Sequence, residues 1–107
     1  VSGWLDPDLK THTDTKSQTA GIFEDLKKFL ATQKLSLGDV VMIHMYLGGE
    51  ITKDSKTDVA GMTAAYTQFF GTKEQPSRPA RTTTQVVLPA GVRGALVEVD
   101  LVAVRPN

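Results

Sequence analysis

All four arginines of this chain, Arg78, Arg81, Arg93 and Arg105, fall in its last third, and every cation before them is a lysine. The difference is chemical. A guanidinium presents a planar fork that donates two parallel hydrogen bonds to a carboxylate, which an ammonium cannot do. Arg81 stands out because Pro79-Ala80 precede it and Thr82-Thr83-Thr84 follow, placing it at the start of a strand. Side chains alternate along a strand, so Arg81, Thr83 and Gln85 share a face. Position alone favours the plainer reading, a surface arginine at a strand end.

The last strand supplies the opposite charge. Leu96, Glu98, Asp100 and Val102 share one face, and Val97, Val99, Leu101 and Ala103 the other, so two carboxylates interrupt an apolar segment. Were the two strands paired antiparallel, Glu98 would lie within a few residues of Arg81, close enough for a shared site. A cross-strand ion pair on a solvated face fits the spacing equally well and contributes little. Other chemistry finds less support. His12 and His44 have no carboxylate or second histidine at ligand spacing and read as structural; Met42 and Met45 read as core filling. Trp4 caps the core or covers a pocket. Gly48-Gly49 lacks a following Gly-Lys-Ser, so a phosphate-cradling loop is not indicated, and there is no Gly-x-Ser-x-Gly elbow.

The elements that must hold these residues follow from periodicity. Thr15 and Gln18 read as the two ends of a capping box that opens a helix. Ile22, Phe23, Leu26, Phe29 and Leu30 form its apolar stripe, opposite Glu24, Asp25, Lys27 and Lys28, and the helix ends near Lys34. A turn over 36–39 feeds the apolar run Val40 to Leu47, read as a strand buried on both faces. After a polar loop over 50–57, Ser55 or Thr57 caps a second helix with the stripe Val59, Met62, Tyr66, Phe69 and Phe70, ended by Gly71 and Pro76. Strands from Arg81 to Leu88 and from Ala95 to Val104 follow, joined by a turn-rich link over 89–94 that reads as a hairpin. The order is strand remnant, helix, strand, helix, strand, strand. It predicts an α+β sandwich, two helices on one face of a mixed sheet. The opposite faces, assigned to Val86, Val97, Val99 and Leu101, would then need other burial, inside the chain or between subunits.

Composition narrows the functions. The 107 residues read as one domain, large enough for a core without staples. Zero cysteines exclude a disulfide scaffold, a thiol nucleophile and a thiolate zinc site. Twelve basic against 12 acidic residues give a formal charge of zero, unlike a protein that grips a phosphate backbone. No apolar run approaches the roughly 18 residues of a membrane span. The chain begins Val-Ser-Gly-Trp, with neither methionine nor signal peptide, so processing or missing upstream sequence is expected.

A family resemblance then joins these residues. Asp39-Val40-Val41, Tyr66-Thr67-Gln68-Phe69-Phe70-Gly71, Pro79-Ala80-Arg81-Thr82-Thr83, and Leu88-Pro89 followed by Ala95-Leu96-Val97-Glu98-Val99-Asp100 resemble the RidA family, formerly YjgF, from Ser2 to Arg105. The resemblance implies a chorismate-mutase-like α+β fold and a homotrimer with clefts between subunits. It also implies hydrolysis of small imines or enamines derived from amino acids, without metal or organic cofactor. It assigns Arg81 to the substrate carboxylate, Glu98 and the Thr83 backbone to a water, Ser2-Gly3 to the cleft wall, and Thr63 to the position of a cleft asparagine. Three departures accompany it. The family's first strand, with a cleft tyrosine, has no counterpart, so 1–107 reads as a single domain lacking that strand. The loop over 48–58 is longer than usual, and with Thr63 bears on substrate choice or activity. Lys34 replaces a glycine where a left-handed backbone is expected.

Three functions are then in play. One is an imine deaminase, a 2-iminobutanoate or 2-iminopropanoate deaminase-like hydrolase whose partner is a small carboxylate substrate. Another is a non-catalytic ligand-binding or regulatory domain, in a longer polypeptide such as a diphthamide-synthesis enzyme. The third follows the family's older description as an endoribonuclease and translation inhibitor; the balanced charge makes it the weakest, and neither nucleic acid nor membrane is an expected partner. The composition suits the cytoplasm or, after transit-peptide removal, a mitochondrion.

Overall fold

A computed structural model describes residues 1–50, 56–88 and 94–106. The helix α1 (Thr15–Thr32) opens one residue earlier than the expected capping box. Its cap is Asp14, whose carboxylate accepts the Ser17 N–H at 2.8 Å while the Ser17 hydroxyl faces back toward the Asp14 backbone. Thr15 and Gln18 are withdrawn from capping because both are buried and engaged elsewhere. Thr15 Oγ1 donates to the buried carboxylate of Glu50 at 2.8 Å. Gln18, with no exposed surface, donates through Nε2 to the carbonyls of His12 and Gly94 and accepts the Leu96 N–H through Oε1. At the other end the Leu35 and Lys34 N–H groups return to the Leu30 and Ala31 carbonyls, a Schellman turn. Lys34 occupies its left-handed position at φ 59°, the conformation expected for that residue.

After a single 3₁₀ turn (Leu37–Asp39), β1 (Val40–Leu47) enters the sheet. Helix α2 (Val59–Tyr66) carries the chain to β2 (Ala80–Gln85), parallel to β1; β3 (Val97–Ala103) pairs antiparallel on the other side of β1. The order is β2-β1-β3. The expected hairpin is therefore corrected: β2 and β3 run in opposite directions but do not pair, because the apolar β1 takes the central place and both its edges are filled. Gln85 and Val97, at the two ends of the connection, flank the same residue, Leu47. Part of it, 89–93, lies outside the described residues, as does Ser55; α2 is capped by Asp58, which accepts the Gly61 N–H. Residues 1–4 line the free edge of β3, with Val1 bonded to Leu101 and Trp4 to Val99, so the strand remnant is present as an edge segment. The odd residue in that register is Gly3, at φ 68°.

Both helices cover one face of the sheet. Ile22, Phe23, Leu26 and Leu30 pack with Met62, Tyr66, Phe69 and Phe70 onto Ile43, Met45 and Leu47 and onto Val97, Val99 and Leu101. Val97, Val99 and Leu101 thus lie under the helices rather than on an uncovered face, and Val86 is half-buried just beyond β2. A bulge near Val41 lets Val40 and Ile43 both point inward. The other face of β1, expected to be buried, is open: Met42 is 53% exposed, beside half-buried His44 and Tyr46 and 52% exposed Val102. Two helices are enough for one face only. Met45 is core and Met42 is not. Trp4 caps the core, its ring 5.0 Å from Phe29 and its Nε1 donating to Asp25.

Candidate functional site

The register places Arg81 beside the inward-facing Ile43, on the helix side of the sheet at the outer strand. There its guanidinium lies over the Tyr66 ring, 4.4 Å from the centroid, with Nη1 3.7 Å from Met62 Sδ. The stacking follows from the ring quadrupole and holds the guanidinium by its face, leaving its edge donors free. Among the described residues no carboxylate forms an ion pair with it. Arg81 opens on a groove of about 580 Å³ lined by Thr63, Tyr66, Phe70, Gly71, Arg78 and Pro79 and by Thr67, none of them acidic. Burial raises the Tyr66 phenol above its usual range, with Arg81 pulling the other way. Thr83, opposite Met45, shares the helix side with Arg81, and its Oγ1 is buried with no partner among the described residues.

Glu98 sits elsewhere. It pairs with Tyr46, on the open face, together with Asp100, His44 and the N-terminal edge. Asp100 accepts the Gly3 N–H at 2.6 Å and the Tyr46 hydroxyl at 3.1 Å, and the His44 and Tyr46 rings stack at 5.0 Å. The hydrogen bond to Asp100 is the main reason the Tyr46 phenol is raised, ahead of burial and the charges of Asp100 and Glu98. Glu98 Oε1 would stand 3.8 Å from a side chain at Gly3, while Ser2 lines a pocket with Met42, His44 and Asp100.

The expected meeting of Arg81 and Glu98 within one chain is therefore corrected. β1 runs between them, they point to opposite faces, and their β1 partners Ile43 and Tyr46 are three residues apart, roughly 10 Å. Arg81 and Thr63 line one groove, with Thr83 on the same side of the sheet; Gly3 and Glu98 stand on the other side. Sequence reasoning missed Tyr66 and Arg78 as groove residues and Tyr46 as the partner of Asp100. The helical spacing of Tyr66 to the apolar stripe concealed its second role, whereas the alternation His44, Tyr46 was readable. His12 does have a carboxylate, correcting that expectation: its Nδ1 lies 2.6 Å from Oδ2 of the buried Asp6. Among the described residues no three potential ligands group around a metal position, and no helix is long and apolar enough to cross a membrane.

Comparison with known proteins adds ancestry to this geometry. The family model described as endoribonuclease L-PSP matches residues 1–105. A RutC family protein of Pyrococcus horikoshii is 33% identical over 108 residues, covering 96% of this chain and 75% of that protein. One from Pyrococcus abyssi is 36% identical over 91 residues, covering 84% of this chain and 61% of its own length. Among solved structures, the YjgF gene product of E. coli superimposes with a TM-score of 0.77 at 23% identity, over 99% of this chain and 79% of its own. E. coli TdcF with bound serine gives the same four values. These neighbours share the α+β fold of two helices on a mixed sheet.

Proposed function

Since this chain belongs to the endoribonuclease L-PSP family, also called YjgF or RidA, we propose that it hydrolyses small 2-imino or enamine carboxylic acids to 2-keto acids and ammonia. One observation carries the reading: Arg81 is braced on Tyr66 and has no ion-pair partner among the described residues, in a groove whose described lining holds no acid. A guanidinium held in this way suits the bidentate grip of a substrate carboxylate. The bound serine of TdcF, itself a small amino acid, agrees with this substrate class.

The chemistry needs little beyond placement. Arg81 binds the carboxylate bidentately and fixes the imine carbon. Glu98, brought by a second copy of the chain, holds a water against that carbon together with the Thr83 backbone, and Ser2-Gly3 and Thr63 bound the cleft. Water adds to the C=N carbon and gives a carbinolamine. A proton passes from the added oxygen to nitrogen, the C–N bond breaks, and ammonia leaves behind a carbonyl. The assembly is a homotrimer with three such clefts, covering the open face that carries Met42 and Val102.

The test supplies 2-aminoacrylate generated in place and follows ammonia and keto acid against the spontaneous rate. Arg81→Ala should lower the enzymatic rate on the order of 10²-fold with the oligomer intact. Unchanged turnover would remove Arg81 from this role. A second reading, a ligand-binding domain of a longer polypeptide, is favoured by Thr63, whose shorter side chain lines the groove where the family has an asparagine amide. Binding of 2-keto acids without ammonia release would select it.

A further inference from the structure

The groove holds a second cation that the reaction above does not use. Arg78 lines it three residues before Arg81, and Pro79 between them is part of the same wall. Its placement depends on a glycine. Gly71 sits at φ 72°, and a Cβ there would come within 2.6 Å of Arg78 Nε and 3.3 Å of its Cζ, so only glycine leaves room for the guanidinium. Like Arg81, Arg78 makes no ion pair among the described residues.

We propose that Arg78 binds a second acid group, so that the preferred substrates of this site are dicarboxylic 2-imino acids; this rests on the deaminase reading. The charges support it. The groove faces the C-terminal end of α2, whose dipole supplies roughly half a negative charge, against two guanidinium charges. About one and a half positive charges remain, more than one carboxylate neutralises. Two forks three residues apart, with Cα atoms at most ~11 Å from each other, suit two separate planar carboxylates at the ends of a short chain. A single phosphate offers the two forks one anionic centre to share, whereas a short dicarboxylate offers one to each. The hydroxyls of Thr63 and Tyr66, with no hydrogen-bond partner among the described residues, are placed to complete the grip.

The experiment compares imines generated in place from aspartate and from alanine, in the wild type and in Arg78→Ala, reading kcat/KM for each. The wild type should favour the dicarboxylic imine by at least roughly tenfold, expressed in KM, and Arg78→Ala should collapse that ratio toward one. An equal rate for both imines, or a ratio that survives Arg78→Ala, overturns the proposal. Titration with oxaloacetate, pyruvate and inorganic phosphate separates its failure from that of the deaminase reading. If neither imine is turned over, tighter binding of oxaloacetate than pyruvate, lost in Arg78→Ala, still supports the second acid site. Equal binding of the two, or binding of inorganic phosphate as tight as that of oxaloacetate, refutes it.

Discussion

Arg81 and Tyr66 form a unit in which each alters the other. The ring holds the guanidinium by its face, and the guanidinium partly offsets the cost of ionising a buried phenol. Because burial wins, the folded chain keeps the Tyr66 proton at pH values where the unfolded chain has lost it. The stability this contributes is whole below pH 10.0, the ordinary phenol value, and fades as the pH rises through the higher folded value. Tyr66→Phe lacks this ionisation, so denaturant titrations should show the wild type losing stability relative to Tyr66→Phe above pH 10.0; a constant difference would contradict the direction of the shift. The residue types were legible in the sequence. Arg81 declared itself by its fork and its place after Pro79-Ala80, and Glu98 by interrupting an apolar strand. Tyr66 did not, since an aromatic at helical spacing reads as core whether or not its ring also carries a cation.

At the scale of elements, the caps and ties decide where the site residues stand. Lys34 occupies the left-handed position of the Schellman turn that ends α1, at a cost that glycine avoids. Lys34→Gly should raise stability by about 1 kcal/mol, read as a higher denaturation midpoint at unchanged slope. A lower midpoint would mean that the lysine side chain contributes something the backbone does not reveal. Gln18 matters more. It satisfies three backbone groups of two distant segments and fixes the approach to β3, two residues before Glu98. Gln18→Ala should cost about 2 kcal/mol or more in the same measurement, because it leaves those groups unpaired in the interior. A loss under half of that would show water taking its place. Here sequence was a partial guide. Asp14, Thr15 and Ser17 are all capable of capping, and the choice between Asp14 and Thr15 is made by Glu50, which engages Thr15, and by Leu96, which engages Gln18, contacts that no local pattern records.

Over the whole molecule, the fold class followed from the alternation of helical and strand periods, while strand order did not. A short turn-rich link predicts adjacent strands on local grounds; the placement of β1 between them is settled by which strand has two edges to fill. That one difference changes the function's geometry. With β1 interposed, Arg81 and Glu98 face opposite sides, and the exposed apolar side chains Met42 and Val102 lie on the same open face as Glu98. In the proposed assembly a second copy would cover that face and bring a carboxylate toward a neighbour's Arg81 groove, so the proposed site and the proposed assembly stand or fall together. The most direct measurement is subunit complementation: Arg81→Ala and Glu98→Ala chains, each inactive alone, are co-expressed and assayed for ammonia release. Sites shared between copies predict recovery of about a quarter of wild-type activity, since random pairing in a closed ring restores that share of intact sites. Activity no greater than that of either parent would contradict the shared site.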